Sequence, residues 1–154
     1  SPFPEKNKLA LVVPKTTTQY KQRSEAMFEA IAGHCARIVN AVPGNSAVFF
    51  PSYDRMSKVY NYLYEKLEKT AFKEDSSLSK DERKEMLEKF ASYQKTGAVL
   101  LGVASGSFGE GIDFPGDILK AVVVVGLPLS KDGDNTQSYR NLAEYGEQDQ
   151  RKFH

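Results

Sequence analysis

The sequence predicts a three-layer α/β domain with a mostly parallel central sheet flanked by helices. Three observations point there. Short apolar runs alternate along the chain with stretches of helical periodicity. Several of those runs carry no polar interruption, which suits strands covered on both faces. A chain of 154 residues has the common size of one folded unit. Residues 1–154 are therefore read as one domain, with 131–154 either a helix or a loose tail.

The first apolar run, KLALVV at Lys8 to Val13, is short and ends at Pro14, so it reads as a buried strand. From about Tyr20 to Val39, Met27, Phe28, Ile31, Cys35 and Ile38 recur at three- and four-residue steps, the face of a helix that Pro43-Gly44-Asn45 stops. SAVFF, Ser46 to Phe50, is a second strand, and Met56, Val59, Tyr60, Leu63 and Leu67 mark a second helix face. TAFKED permits a brief strand. Ser79 and Glu82 then have the spacing of a capping box, in which hydroxyl and carboxylate each take a backbone N–H of the other, and Met86, Leu87 and Phe90 face inward. GAVLLGVA is the next strand, a glycine-rich loop comes after it, and LKAVVVVGLPL is a strand covered on both sides.

Composition narrows the function classes. Hydrophobic residues make up 40% and charged residues 27%, the balance of a folded globular protein. Net charge is +1, so binding to nucleic acid or an anionic membrane needs a local patch. Cys35 is the single cysteine, which excludes an internal disulfide, a multi-cysteine zinc site and an iron–sulfur cluster held by this chain. A reducing compartment is expected, cytoplasmic or, in a eukaryote, nuclear. No apolar stretch approaches the roughly 20 residues that cross a bilayer, and SPFPEKNK lacks the layout of a signal peptide.

The loop GVASGSFGEGIDFPGD, Gly102 to Asp117, leaves its strand at the edge where open parallel sheets bind ligands. Glycines let backbone N–H groups approach a phosphate, Ser105 and Ser107 add hydroxyls, and Asp113 offers an acceptor suited to ribose. The plain alternative is a chain reversal, with Pro115-Gly116 as an ordinary turn. The order G-x-x-G-x-G is not the dinucleotide fingerprint, and no G-x-x-x-x-G-K-[ST] occurs anywhere, so a P-loop is missing. DERK at Asp81 comes after no apolar strand and reads as the start of a helix.

SPFP at the start, YKQR at Tyr20 to Arg23, VFFPSYDRM at Val48 to Met56 and GVASGSFGEGIDF before VVVVGLPL together resemble the second motor domain of XPD-like and DinG-like superfamily 2 DNA helicases. The resemblance spans roughly residues 1–129. It implies a RecA-like fold and a chain that binds single-stranded DNA and shares ATP and Mg2+ with a first motor domain, where the P-loop and any iron–sulfur cluster would lie. It further implies that Ser52 and Tyr53 match motif IV and meet DNA, as do Ser105, Gly106 and Ser107 of motif V. Gly109, Glu110, Gly111 and Asp113 match the part of motif V that couples DNA to nucleotide. The family rule gives 5′ to 3′ movement.

One departure matters. The family's Q-x-x-G-R-x-x-R motif, which brings an arginine finger worth about 10³–10⁵ in rate to the γ-phosphate, does not occur between GLPL and His154. This chain by itself is not expected to hydrolyse ATP, and is either a fragment that stops short of that motif, the preferred reading, or a degenerate relative. The rival from another class is a non-catalytic domain that docks protein partners. Tyr60 is assigned to the core face, Tyr62 and Tyr64 to surface or packing, and His34 beside Cys35 to the core or a helix edge. The lysines from Lys66 to Lys84, interleaved with Glu65, Glu68, Glu74, Asp81, Glu82 and Glu85, read as a solvated mixed-charge face.

Overall fold

The computed structural model describes residues 8–12, 25–106 and 118–126. Five strands, β1 (Lys8–Val12), β2 (Asn45–Phe50), β3 (Thr70–Lys73), β4 (Ala98–Val103) and β5 (Leu119–Val125), form one sheet in the order β1-β5-β2-β4-β3. Every pairing is parallel. Three helices are described: α1 (Glu25–Ala41), α2 (Tyr53–Leu63) and α3 (Lys80–Ala91).

The uninterrupted apolar strands are explained by two cores, one on each face of the sheet. On one face Val48, Phe50, Leu101, Val103 and Val123 meet Phe28, Ile31 and Cys35 of α1 and Met56, Val59 and Leu63 of α2. On the other, Ala47, Phe49, Leu100, Val122 and Val124 meet Phe90 of α3. Alternate residues of a strand point to opposite faces, and with both faces covered every position of β2 and β4 is buried. The predicted three layers are therefore present.

Several expectations need adjustment. The buried face of α1 is Phe28, Ile31, Ala32, Cys35, Ala36 and Val39, with Met27 and Ile38 at its margin. The start near Tyr20 lies outside the described residues. Helix α2 ends at Leu63; Leu67 lies in the turn beyond it and still packs against the same core. Tyr60 is half-buried and packs against this core, as its place on the core face predicts, with Lys73 Nζ 4.6 Å from its ring centroid. The capping box at α3 forms as predicted, Ser79 Oγ accepting from Glu82 N at 3.1 Å and Glu82 Oε1 from Ser79 N at 3.0 Å.

At the amino edge of the sheet, the turns that enter β2 and β4 are fastened together. Asn45, 1% exposed, donates from Nδ2 to Phe90 O at 2.9 Å, and its Oδ1 accepts Ala98 N at 2.8 Å. Gly97 has φ +88°, and a Cβ there would lie 2.8 Å from Gly44 O, so only glycine fits. Lys69 Nζ donates to Gly44 O at 2.8 Å and also to Val42 O. Burial in this corner pulls the Lys69 ammonium below its usual pKa. These contacts hold the sheet's amino edge and leave its carboxyl edge to form the site.

Candidate functional site

Strands β2 and β4 are neighbours in register, with Phe50 opposite Val103, so both end at the same level of the sheet. The segments that leave the two strands are thereby brought side by side. After β2, Ser52 caps α2, its Oγ accepting Arg55 N at 3.1 Å, and Tyr53 is the first helical residue. After β4, Ala104 N donates to Phe50 O at 2.8 Å, and Gly106 N donates to Val103 O at 2.8 Å, closing a turn over Val103–Gly106. Ser52, Tyr53, Ser105 and Gly106, four of the residues singled out from sequence for contact with DNA, are all half-buried at this edge. Ser107, Gly109, Glu110, Gly111 and Asp113 lie outside the described residues.

The two segments are joined by Glu74, which sequence reasoning places on a solvated mixed-charge face. Glu74 is instead 1% exposed. It stands directly after β3, and its N–H continues that strand's ladder to Leu101 O at 2.8 Å. Its Oε1 accepts the hydroxyl of Tyr53 at 3.0 Å, and its Oε2 accepts the N–H of Val103 at 3.0 Å. In a continuing parallel ladder Val103 N–H would meet a main-chain carbonyl of the edge strand. The Glu74 carboxylate takes that place, so the ladder ends on a side chain.

Two glycines leave the space the carboxylate occupies. A Cβ at Gly102 would lie 3.1 Å from Glu74 Oε2, and a Cβ at Gly106 would overlap Oε1. Both side-chain oxygens are held by hydrogen bonds, so the carboxylate has little freedom to yield. Burial, and then the neighbouring Glu74, push the Tyr53 phenol above its ordinary pKa, with Arg83 opposing in part. Beside this pair a cleft of about 240 Å³ opens, lined by Tyr53, Ser57, Lys73, Glu74 and Asp75 among others.

Other candidates resolve into structural roles. His34 Nδ1 is bonded to Arg37 on the exposed side of α1, and no group of three or more potential metal ligands occurs among the described residues. The Tyr62 hydroxyl donates to Glu25, while Tyr64 is exposed. No described helix is long and apolar enough to cross a membrane.

Across residues 35–154 the sequence matches the family described as the helicase C-terminal domain. The chain belongs to this family. It is 32% identical over 135 residues to a probable ATP-dependent helicase of Methanocaldococcus jannaschii, covering 84% of this chain and 20% of that protein. ATP-dependent DNA helicase CHL1 of Scheffersomyces stipitis is 34% identical over 112 residues, covering 66% of this chain and 13% of that one. The helicase domain thus spans a fifth or less of the length of these curated relatives. A solved XPD helicase structure superposes with a TM-score of 0.58 at 21% identity, covering 89% of this chain and 24% of that one, and shares the RecA-like fold.

Proposed function

We propose that this helicase domain binds single-stranded DNA along the carboxyl edge of β2 and β4 and couples that contact to ATP hydrolysis at an interface with a first motor domain. The observation that carries the reading is the register of Phe50 with Val103, which sets the segment holding Ser52 and Tyr53 beside the turn holding Ser105 and Gly106. Hydroxyls and turn N–H groups at one edge suit phosphate oxygens, and a tyrosine suits a base face. Contacts of this kind tolerate any sequence and weaken with salt.

Nucleotide enters the proposal through Gly109, Glu110, Gly111 and Asp113, which the resemblance matches to the part of motif V that couples DNA to nucleotide, with Asp113 on the ATP side. ATP and Mg2+ are assigned to the shared interface, since the chain has no P-loop lysine to hold a triphosphate. Movement 5′ to 3′ is part of the same proposal.

The test is ATP hydrolysis by the helicase domain alone and by the domain joined to a first motor domain of the family and extended through a Q-x-x-G-R-x-x-R segment, each with and without single-stranded DNA. The domain alone is expected to be inactive. The joined protein is expected to hydrolyse ATP faster when DNA is present, and Asp113→Ala to abolish that stimulation. Hydrolysis by the domain alone, or a joined protein indifferent to DNA, would contradict the proposal.

A further inference from the structure

We infer that Glu74 is a positioning residue that locks the Tyr53 end of motif IV to the first turn of motif V, so that the two DNA-contacting segments hold one geometry. The inference rests on the nucleic-acid reading of this edge. Its basis is the number of independent constraints meeting on one carboxylate. Main-chain N–H to Leu101, Oε2 to Val103 N–H and Oε1 to Tyr53 hydroxyl tie Glu74 to β4, to the strand end before the glycine loop and to α2. Gly106 closes over Oε1 so tightly that no side chain fits there while the carboxylate stays in place.

Burying a carboxyl group is costly unless its oxygens are bonded, and a hydrophobic residue would fill the space at less cost. An apolar residue would not, however, link two loops by directed bonds. The carboxylate uses one oxygen for each segment, so a displacement of the Val103–Gly106 turn pulls on Tyr53 through a rigid, buried group. Ser57 and Lys73 border the same cleft and leave Tyr53 a solvent-facing side. The ring is thus anchored through its hydroxyl while part of it remains accessible.

The test is a double-mutant cycle between Glu74 and Gly106 in the full chain, read by affinity for a fluorescent single-stranded oligonucleotide and by hydrogen exchange of the Val103 amide. Circular dichroism confirms folding of each variant. Glu74→Ala is expected to weaken binding about tenfold, the loss of roughly one directed hydrogen bond's worth of positioning, and to speed exchange at Val103. Glu74→Gln recovers most of that loss, because its carbonyl accepts Val103 N–H while its amide donates to the Tyr53 oxygen. Gly106→Ala weakens binding more when Glu74 is present than in the Glu74→Ala background, where the new Cβ has room. Should Glu74→Ala not fold, Glu74→Asp, one methylene shorter, runs the same cycle.

Losses at the two positions that simply add, or a Glu74→Ala variant that binds as the parent does, would overturn the inference while leaving DNA binding intact. A folded parent chain that binds no DNA at low salt would remove the nucleic-acid reading, and this inference with it.

Discussion

The hydroxyl of Tyr53 donates to Oε1 of Glu74 across 3.0 Å, joining the first residue of α2 to the residue directly after β3. A single hydrogen bond therefore spans the cleft between a helix and the edge strand two positions away from β2 in the sheet.

Removing only that hydroxyl is expected to destabilise the fold. Tyr53→Phe keeps the ring but leaves Glu74 Oε1 one donor short in a buried position, a loss of about 1–2 kcal/mol. Urea unfolding followed by circular dichroism reads it as a lower midpoint with an unchanged slope. The variant also changes the alkaline limb. The phenol pKa is raised in the fold above its ordinary 10.0, so its contribution is complete below pH 10 and is lost as pH rises through the folded value. Tyr53→Phe is expected to lose that part of the alkaline dependence, and a parent and variant with parallel pH profiles would contradict the bond.

Cys35 is expected to be inert while the domain is folded. It is fully buried among α1 and sheet residues, and burial pushes its thiol from 9.0 up to about 12. The thiolate is the reactive form, so a thiol reagent at pH 8 should label Cys35 only as fast as the chain unfolds. Labelling by a disulfide dye in native buffer and in urea checks this. Rapid native labelling would show that the face between α1 and the sheet opens.

Asn45 offers a sharper stability test than any apolar residue at the amino edge. Its amide satisfies Phe90 O and Ala98 N together. Asn45→Ala leaves the buried Ala98 N–H without its acceptor, while Phe90 O loses one of two donors and keeps Tyr93 N–H, and is expected to cost about 2 kcal/mol. Asn45→Asp keeps the bond to Ala98 N–H but sets an oxygen against Phe90 O, so it should be no better. Thermal and urea unfolding of the two variants decide the matter, and a stable aspartate variant would contradict the assigned amide orientation.

At the start of α3 the capping box predicts an acid-sensitive helix end. Hydrogen bonds from Ser79, backbone first and side chain second, hold the Glu82 carboxyl below its ordinary 4.5. Its contribution is therefore present above pH 4.5 and is lost as pH falls through the lower folded value. Ser79→Ala removes the hydroxyl cap, at about 1 kcal/mol, whereas Glu82→Gln removes the ionisable partner of the Ser79 N–H and should flatten that acid limb. Amide exchange of the first turn of α3 between pH 6 and pH 3 measures it.

The residues probed by these variants differ in how legible they are in sequence. β2, β4 and β5 announce themselves because both faces of each are covered, so SAVFF, AVLLGV and AVVVV are apolar almost throughout. β3 is only permitted by its sequence, because Thr70 and Lys73 are exposed and Ala71 and Phe72 only half-buried on an edge strand of four residues. Glu74 is misread from sequence for a related reason. It stands in the run FKED beside charged neighbours that are exposed, and its burial arises from Tyr53, 21 residues before it, and Val103, 29 residues after it. Nothing local distinguishes it. The spacing of Gly102 and Gly106 signals that something occupies the room above β4, but only the sheet order reveals what.

The central claim is that the carboxyl edge of β2 and β4 receives single-stranded DNA, and fluorescence anisotropy of a labelled oligonucleotide tests it most directly. The parent chain and Ser105→Glu are titrated at low and moderate salt. Binding is expected to weaken as salt rises, with log affinity linear in log salt, and to fall about tenfold when a carboxylate is set at position 105 against the phosphates. A folded chain that binds nothing at low salt, or a Ser105→Glu isotherm that overlays the parent's, would contradict it.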